Sequence, residues 1–136
     1  MSFLKKLNDQ RGQFLLDRAF SLLIGAAGLA LTITVFGVMF QGYKLNVIAS
    51  DLARHIEVRG YINDVEIQTE LDRLSTAAGL ENVTVDVDSY QSPRLQFGSK
   101  FDVTVYYTGE IGIGGILSLQ VPMHSTVTGR SEKYWK

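Results

Sequence analysis

Cysteine is absent from this chain of 136 residues, which removes disulfides, thiolate metal sites and cysteine nucleophiles together. Histidine is scarce: His55 and His124 stand alone, without a Glu-x-x-His spacing or a partner carboxylate, so neither suggests a catalytic or ligating role. Excess positive charge is missing as well. Residues 44–136 hold nine basic and twelve acidic side chains, a net of −3, and an acidic domain is poorly suited to neutralising nucleic-acid phosphates. The glycines of residues 109–115 are not followed by Gly-Lys-Ser/Thr, so they form no phosphate loop. Asp86, Asp88 and Asp102 lack the Asp-x-Asp-x-Asp-Gly loop of a calcium site and read as the solvated face of two strands. With these constellations missing, no enzyme activity, cofactor, metal ion or nucleic-acid partner is expected.

Charge is also missing from residues 19–40, and there the absence is informative. This stretch of about 22 residues, at about 1.5 Å each, makes roughly 33 Å of helix, enough to cross a hydrocarbon core of about 30 Å. A cleaved secretory signal is the competing reading. The run exceeds a typical signal core, however, and Gly37-Val38-Met39-Phe40-Gln41 offers no small-x-small cleavage site, so a retained single-pass anchor is expected. Lys5, Lys6, Arg11 and Arg18 precede it, opposed by Asp9 and Asp17, while only Lys44 follows closely. That asymmetry predicts a cytoplasmic N-terminus and an extracytoplasmic domain.

The chain is expected to divide into a polar leader at 1–12, a membrane helix at 13–43 and one small domain at 44–136. The helix is expected to begin near Asp17. It should continue past Gly42, because Leu45, Ile48, Leu52 and Ile56 fall on one helical stripe, and stop at Gly60. A second helix is predicted from Asn63, with Glu66 at the reciprocal capping position and Gly79 as its stop. Val83, Val85 and Val87, then Phe101, Val103, Val105 and Tyr107, alternate with polar residues as strands do. Residues 109–115 read as an irregular, partly apolar loop open to membrane or neighbours. A third strand over 116–127 contains Pro122, which suits an edge. The fold class predicted is α+β: two helices, then a three-stranded antiparallel meander. The aromatic tail around Tyr134 and Trp135 fits interface anchoring, return onto the core or partner binding equally.

Two stripes of small residues mark the apolar helix, Ser21, Gly25, Gly28 and Thr32 on one and Ala26, Ala30 and Thr34 on the other. Such stripes let helix backbones approach closely in lipid, so they are candidates for helix packing. At the helix entrance Gly12 precedes Gln13, an apolar run follows, and Asp17 stands fifth counting from Gln13. On charge alone Asp17 is a boundary carboxylate, favoured by a helix N-terminus and interfacial water.

The Gly12–Gln13–Asp17 arrangement resembles the prepilin processing signature. The chain as a whole is similar to the TadE-like pseudopilins of Tad and related type IV pilus systems, and to small Gram-positive membrane proteins of unknown function found beside such machinery. The resemblance covers the leader, the apolar helix, the amphipathic segment with Ala49-Ser50-Asp51-Leu52-Ala53-Arg54, and the helix-plus-strands domain. It departs from the family pattern in Asp17 for the commoner Glu, in Gln13 as first residue and in Asp9 within the leader. The resemblance implies cleavage by a prepilin peptidase between Gly12 and Gln13. It also implies pairing of Asp17 with the new N-terminal amine of an adjacent subunit, and assembly with other pilin-like subunits into a surface filament or secretion pseudopilus. An uncleaved accessory protein of a secretion or conjugation complex is the alternative.

Overall fold

The computed structural model describes residues 2–90, 93–113 and 117–136. The side chains of residues 2–10, 112, 113 and 117 lie outside the described set, so Lys5, Lys6 and Asp9 do too, as do Gly114, Gly115 and Ile116. The architecture is α+β: helix α1 (Ser2–Arg59), helix α2 (Asp64–Ala78), then strands β1 (Thr84–Ser89), β2 (Lys100–Ile113) and β3 (Leu117–Arg130). It divides into two compact units, Met1–Phe36 and Gly37–Lys136.

The first unit is a helix, and it corrects one expectation. α1 begins at Ser2, not near Asp17, and is helical through the described part of the leader and through Gly42. A helix dipole acts within the first turn, so it offers Asp17 no stabilisation here. From Phe14 to Val35 the large apolar side chains are exposed: Leu22 is 75% accessible and Leu31 58%. Among the described residues one helix is long and apolar enough to cross a membrane, the description that a membrane anchor and an N-terminal signal sequence share.

The second unit packs the amphipathic part of α1 against α2 and the sheet. Leu45, Ile48, Leu52 and Ile56 are each at most 2% exposed, and Ala49 and Ala53 fill the stripe between them. Phe101, Val103 and Val105 of β2, with Ile67 and Leu71 of α2, complete this core. α2 starts as its sequence dictates, the Asn63 side chain accepting from the Val65 N–H at 3.1 Å. Glu66 turns instead toward Arg59, 4.0 Å away. Gly79 closes α2 in the left-handed region, and the Leu80 N–H donates to the Ser75 carbonyl at 2.9 Å. α2 has no basic residue in its last turn, and Lys44 of α1 supplies the cation from outside, its Nζ donating to the Ala78 carbonyl at 2.6 Å.

The sheet is an antiparallel meander in the order β1-β2-β3. β1 is in register from Thr84↔Tyr106 to Ser89↔Phe101. The β2–β3 ladder runs from Lys100↔Arg130 to Ile113↔Leu117. Pro122 lies on the edge strand β3, where its missing N–H costs no ladder bond. The glycine-rich stretch overturns its prediction: Gly109 to Ile113 are strand, not loop, because residues 117–121 supply a partner strand along one edge. Asp86, Asp88 and Asp102 sit on the exposed face, where Asp102 accepts from the Thr128 hydroxyl. Among the described residues no cluster of metal-ligating side chains forms.

Candidate functional site

Each unit offers one arrangement of interest. In the first, Gly12, Gln13 and Asp17 are exposed on a continuous helix. Arg18 reaches back one turn and stacks over the Phe14 ring, 5.0 Å from its centroid, instead of neutralising Asp17. No ion pair to Asp17 forms among the described residues, and its side chain is exposed.

The small-residue stripes follow as a direct consequence of helical spacing. Ser21, Gly25, Gly28, Thr32 and Ala26 are exposed, while Ala30 and Thr34 are half-buried. A Cβ added at Gly25 or Gly28 would meet no other atom within 4 Å, so the backbone is bare there. With Arg18, Leu22 and Leu29, the residues Ser21, Gly25 and Ala26 line a shallow groove along the helix. The two threonines do not leave hydroxyls unpaired in an apolar surface. Thr32 Oγ1 donates to the Gly28 carbonyl at 2.9 Å, and Thr34 Oγ1 to the Ala30 carbonyl at 2.8 Å. The result is a bare, apolar helix flank suited to close approach by another helix.

The second arrangement was not legible in the sequence. Gly60 ends α1 with φ +63°, and its N–H donates to the Ile56 carbonyl at 2.7 Å. Its own carbonyl accepts twice: from the Leu95 N–H at 2.9 Å and from Trp135 Nε1 at 3.0 Å. Arg94 (5.4 Å) and Lys133 (5.5 Å) both lie over the Trp135 ring. Buried Ser131 donates its hydroxyl to the Leu95 carbonyl at 3.1 Å. On the last turn of α1, Glu57 accepts the Arg130 N–H at 3.0 Å while Arg54 reaches Glu132 at 2.8 Å. The Glu132 and Glu57 carboxylates beside Arg54 raise its pKa above the usual guanidinium value. Of the alternatives for the tail, return onto the core is what Trp135 does, whereas Tyr134 stays 72% exposed. The participants come from positions 57, 60, 95, 131 and 135, a spread that no local spacing reveals. This is a structural clasp, and it presents no nucleophile–base pair.

The histidines stay apart. His55 lies half-buried on α1, and His124 sits on β3 with its ring 6.2 Å from that of Tyr106.

One exposed apolar helix segment and one clasped α+β domain are what the chain offers for comparison. The chain belongs to the family described as "Domain of unknown function (DUF4320)", whose model matches residues 22–136. That span includes most of the apolar helix and the entire domain, while Gly12, Gln13 and Asp17 lie upstream of it. No curated protein and no solved structure matches the chain.

Proposed function

We propose that this protein is a non-enzymatic, membrane-anchored pseudopilin or minor pilin subunit of a Tad or type IV-like pilus or secretion system. The observation that carries the reading is the exposed helix, whose most apolar window has no buried residue within the chain. A surface of that kind needs lipid or other helices to cover it. Its basic N-terminal flank keeps the N-terminus cytoplasmic and exports the domain. The Ser21–Gly25–Gly28–Thr32 and Ala26–Ala30–Thr34 stripes then exchange lipid contacts for helices of other pilin-like subunits. Asp17, lacking a partner within the described chain, pairs with a neighbour's N-terminal amine and sets the register. Asp17→Ala accordingly leaves membrane insertion intact but lowers the yield of crosslinked oligomers in the native host, whereas Asp17→Glu keeps most of it. Equal crosslinking of parent and Asp17→Ala would make Asp17 a mere boundary charge.

A second reading, an uncleaved accessory protein of a secretion or conjugation complex, is favoured by a different observation. α1 is helical across Gly12 and Gln13, so a peptidase must first unwind the site, though glycine lowers that cost by about 1 kcal/mol relative to alanine. Mass spectrometry of the protein from its native cell separates the two. A mature chain starting at Gln13 supports processing by a prepilin peptidase, and a chain retaining Met1 to Gly12 in the assembled complex rejects it.

A further inference from the structure

The β2–β3 hairpin continues beyond the rest of the sheet, since β1 pairs only with residues 101–106 while the β2–β3 ladder extends to Ile113↔Leu117. Contacts with α1 give its direction. Glu57 accepts from the Arg130 N–H at 3.0 Å, and Asn46 Nδ2 donates to Ser125 Oγ at 3.0 Å. Further along, Gly109 packs so closely on Gln41 that an added Cβ would lie 2.6 Å from Gln41 Oε1. As the ladder passes from Arg130 to Ser125 to the Gly109↔Val121 pair, the facing α1 residue changes from 57 to 46 to 41. The hairpin therefore runs down α1 toward residue 37, where this unit begins.

The next pair on the same face is Ile111↔Leu119, about 7 Å further on. Leu119 is 66% exposed, and no charged residue occurs between positions 111 and 119. On α1 the same end is also apolar and uncharged: Phe40 and Tyr43 are 59% and 66% exposed, and Lys44 is the first charge after Arg18. Lys44 folds its ammonium back over the Phe40 ring, 4.9 Å from the centroid.

We propose that the end of the β2–β3 ladder at Ile111 and Leu119 is a second membrane contact that seats in the interfacial layer of the bilayer α1 enters. The proposal rests on the membrane-anchor reading of α1. Lipid is the occupant because the Ile111↔Leu119 end of the ladder and the Phe40–Tyr43 end of α1, both in this unit, are uncharged and expose apolar side chains. The depth is bounded by backbone chemistry. Beyond β1 the outer edges of both strands lack a paired strand among the described residues, and unpaired N–H and C=O groups are not tolerated in hydrocarbon. The Ile111↔Leu119 end therefore stops at headgroup depth. Glu110 and Glu81 flank this end, so attraction to anionic lipid plays no part and neutral lipid suffices.

The absence of native cysteine makes the test direct. Single-cysteine variants of the full chain, Leu119→Cys, Ser118→Cys, Thr126→Cys and Ile33→Cys, are spin-labelled and reconstituted in phosphatidylcholine vesicles. Accessibility to oxygen and to an aqueous nickel chelate is then measured. Ile33 should be the most oxygen-rich. Leu119 and Ser118 should show an oxygen-to-nickel ratio severalfold above that of Thr126, on the outer face of β3, and below that of Ile33, with no dependence on salt. Ser118 is exposed, so its label leaves the domain fold intact if Leu119→Cys perturbs it. An Ile33 label in lipid with tip labels as aqueous as Thr126 overturns the hairpin contact and leaves the anchor standing. Tip labels shielded from both reagents mean that protein covers them, which also overturns it. An aqueous Ile33 label overturns the anchor and the hairpin contact together.

Discussion

α1 behaves as two different helices within one uninterrupted run. In its first part Leu22, Leu31 and Phe36 are exposed, while further on Leu45 and Leu52 are sealed at 1% and 0%. Backbone conformation is the same, and so is the residue type. What differs is the distribution of polar residues: the first part is apolar on every face, whereas Asn46, Ser50, Asp51 and Arg54 confine the second to one stripe. A helix apolar all round calls for an apolar surrounding; a striped one calls for a folded domain. Leucine content alone does not separate the two, because polar spacing decides.

The contrast can be broken most strongly in the domain. Leu52→Ala, at a fully buried site, should cost about 2–5 kcal/mol of unfolding free energy, measured by denaturant titration in detergent. Leu31→Ala should change the same quantity by less than about 0.5 kcal/mol, because its side chain touches no core. Equal effects would mean that the first part of α1 is packed into the domain. The complementary break is a charge. Leu29→Arg, exposed near the middle of the charge-free run, should cost about 3–4 kcal/mol in a membrane-insertion assay and leave domain stability unchanged.

Gly60 tests where the helix is made to stop. An alanine there adopts φ +63° against its preference, costing about 1–2 kcal/mol, and its Cβ collides with the Lys133 side chain. Thermal unfolding of Gly60→Ala should show a clear drop in midpoint; an unchanged one would mean that the clasp yields freely.

Legibility follows the range of the interactions. The Leu45–Ile56 stripe, the Asn63 cap, the Gly79 stop and the strand alternation around Val85 and Val103 are written within a few residues, and the fold realises each. Gly109 to Ile113 misled because glycine density signals a loop, whereas a partner strand supplies hydrogen bonds that propensity does not count. The Gly60–Leu95–Ser131–Trp135 clasp joins positions up to 75 apart, so no spacing announces it. For the candidate assembly site the sequence offered a motif, and the fold adds that Asp17 and the small-residue stripes lie on an exposed helix flank.

The smallest effect sharpens the comparison by asking how little the domain's exposed face contributes. On α2 the Arg73 guanidinium reaches Glu70 one turn back, with Nε to Oε2 at 3.0 Å, and holds the Glu70 carboxyl below its ordinary pKa. A carboxylate whose pKa is lowered by folding adds stability that is present above its unfolded pKa of about 4.3. That stability is lost as pH falls through the depressed folded value, because the protonated acid no longer attracts Arg73. The Arg73 side chain is 66% exposed, so water and salt screen most of the attraction and only a slight change in unfolding midpoint is expected. Parent and Glu70→Gln should therefore differ slightly at pH 7, less in high salt, and converge as pH falls through the depressed folded value and the carboxylate is neutralised in both states. A parent less stable than Glu70→Gln at pH 7, with that gap closing as pH falls, would reverse the sign of this linkage and show that Glu70 is held charged at a cost to the fold.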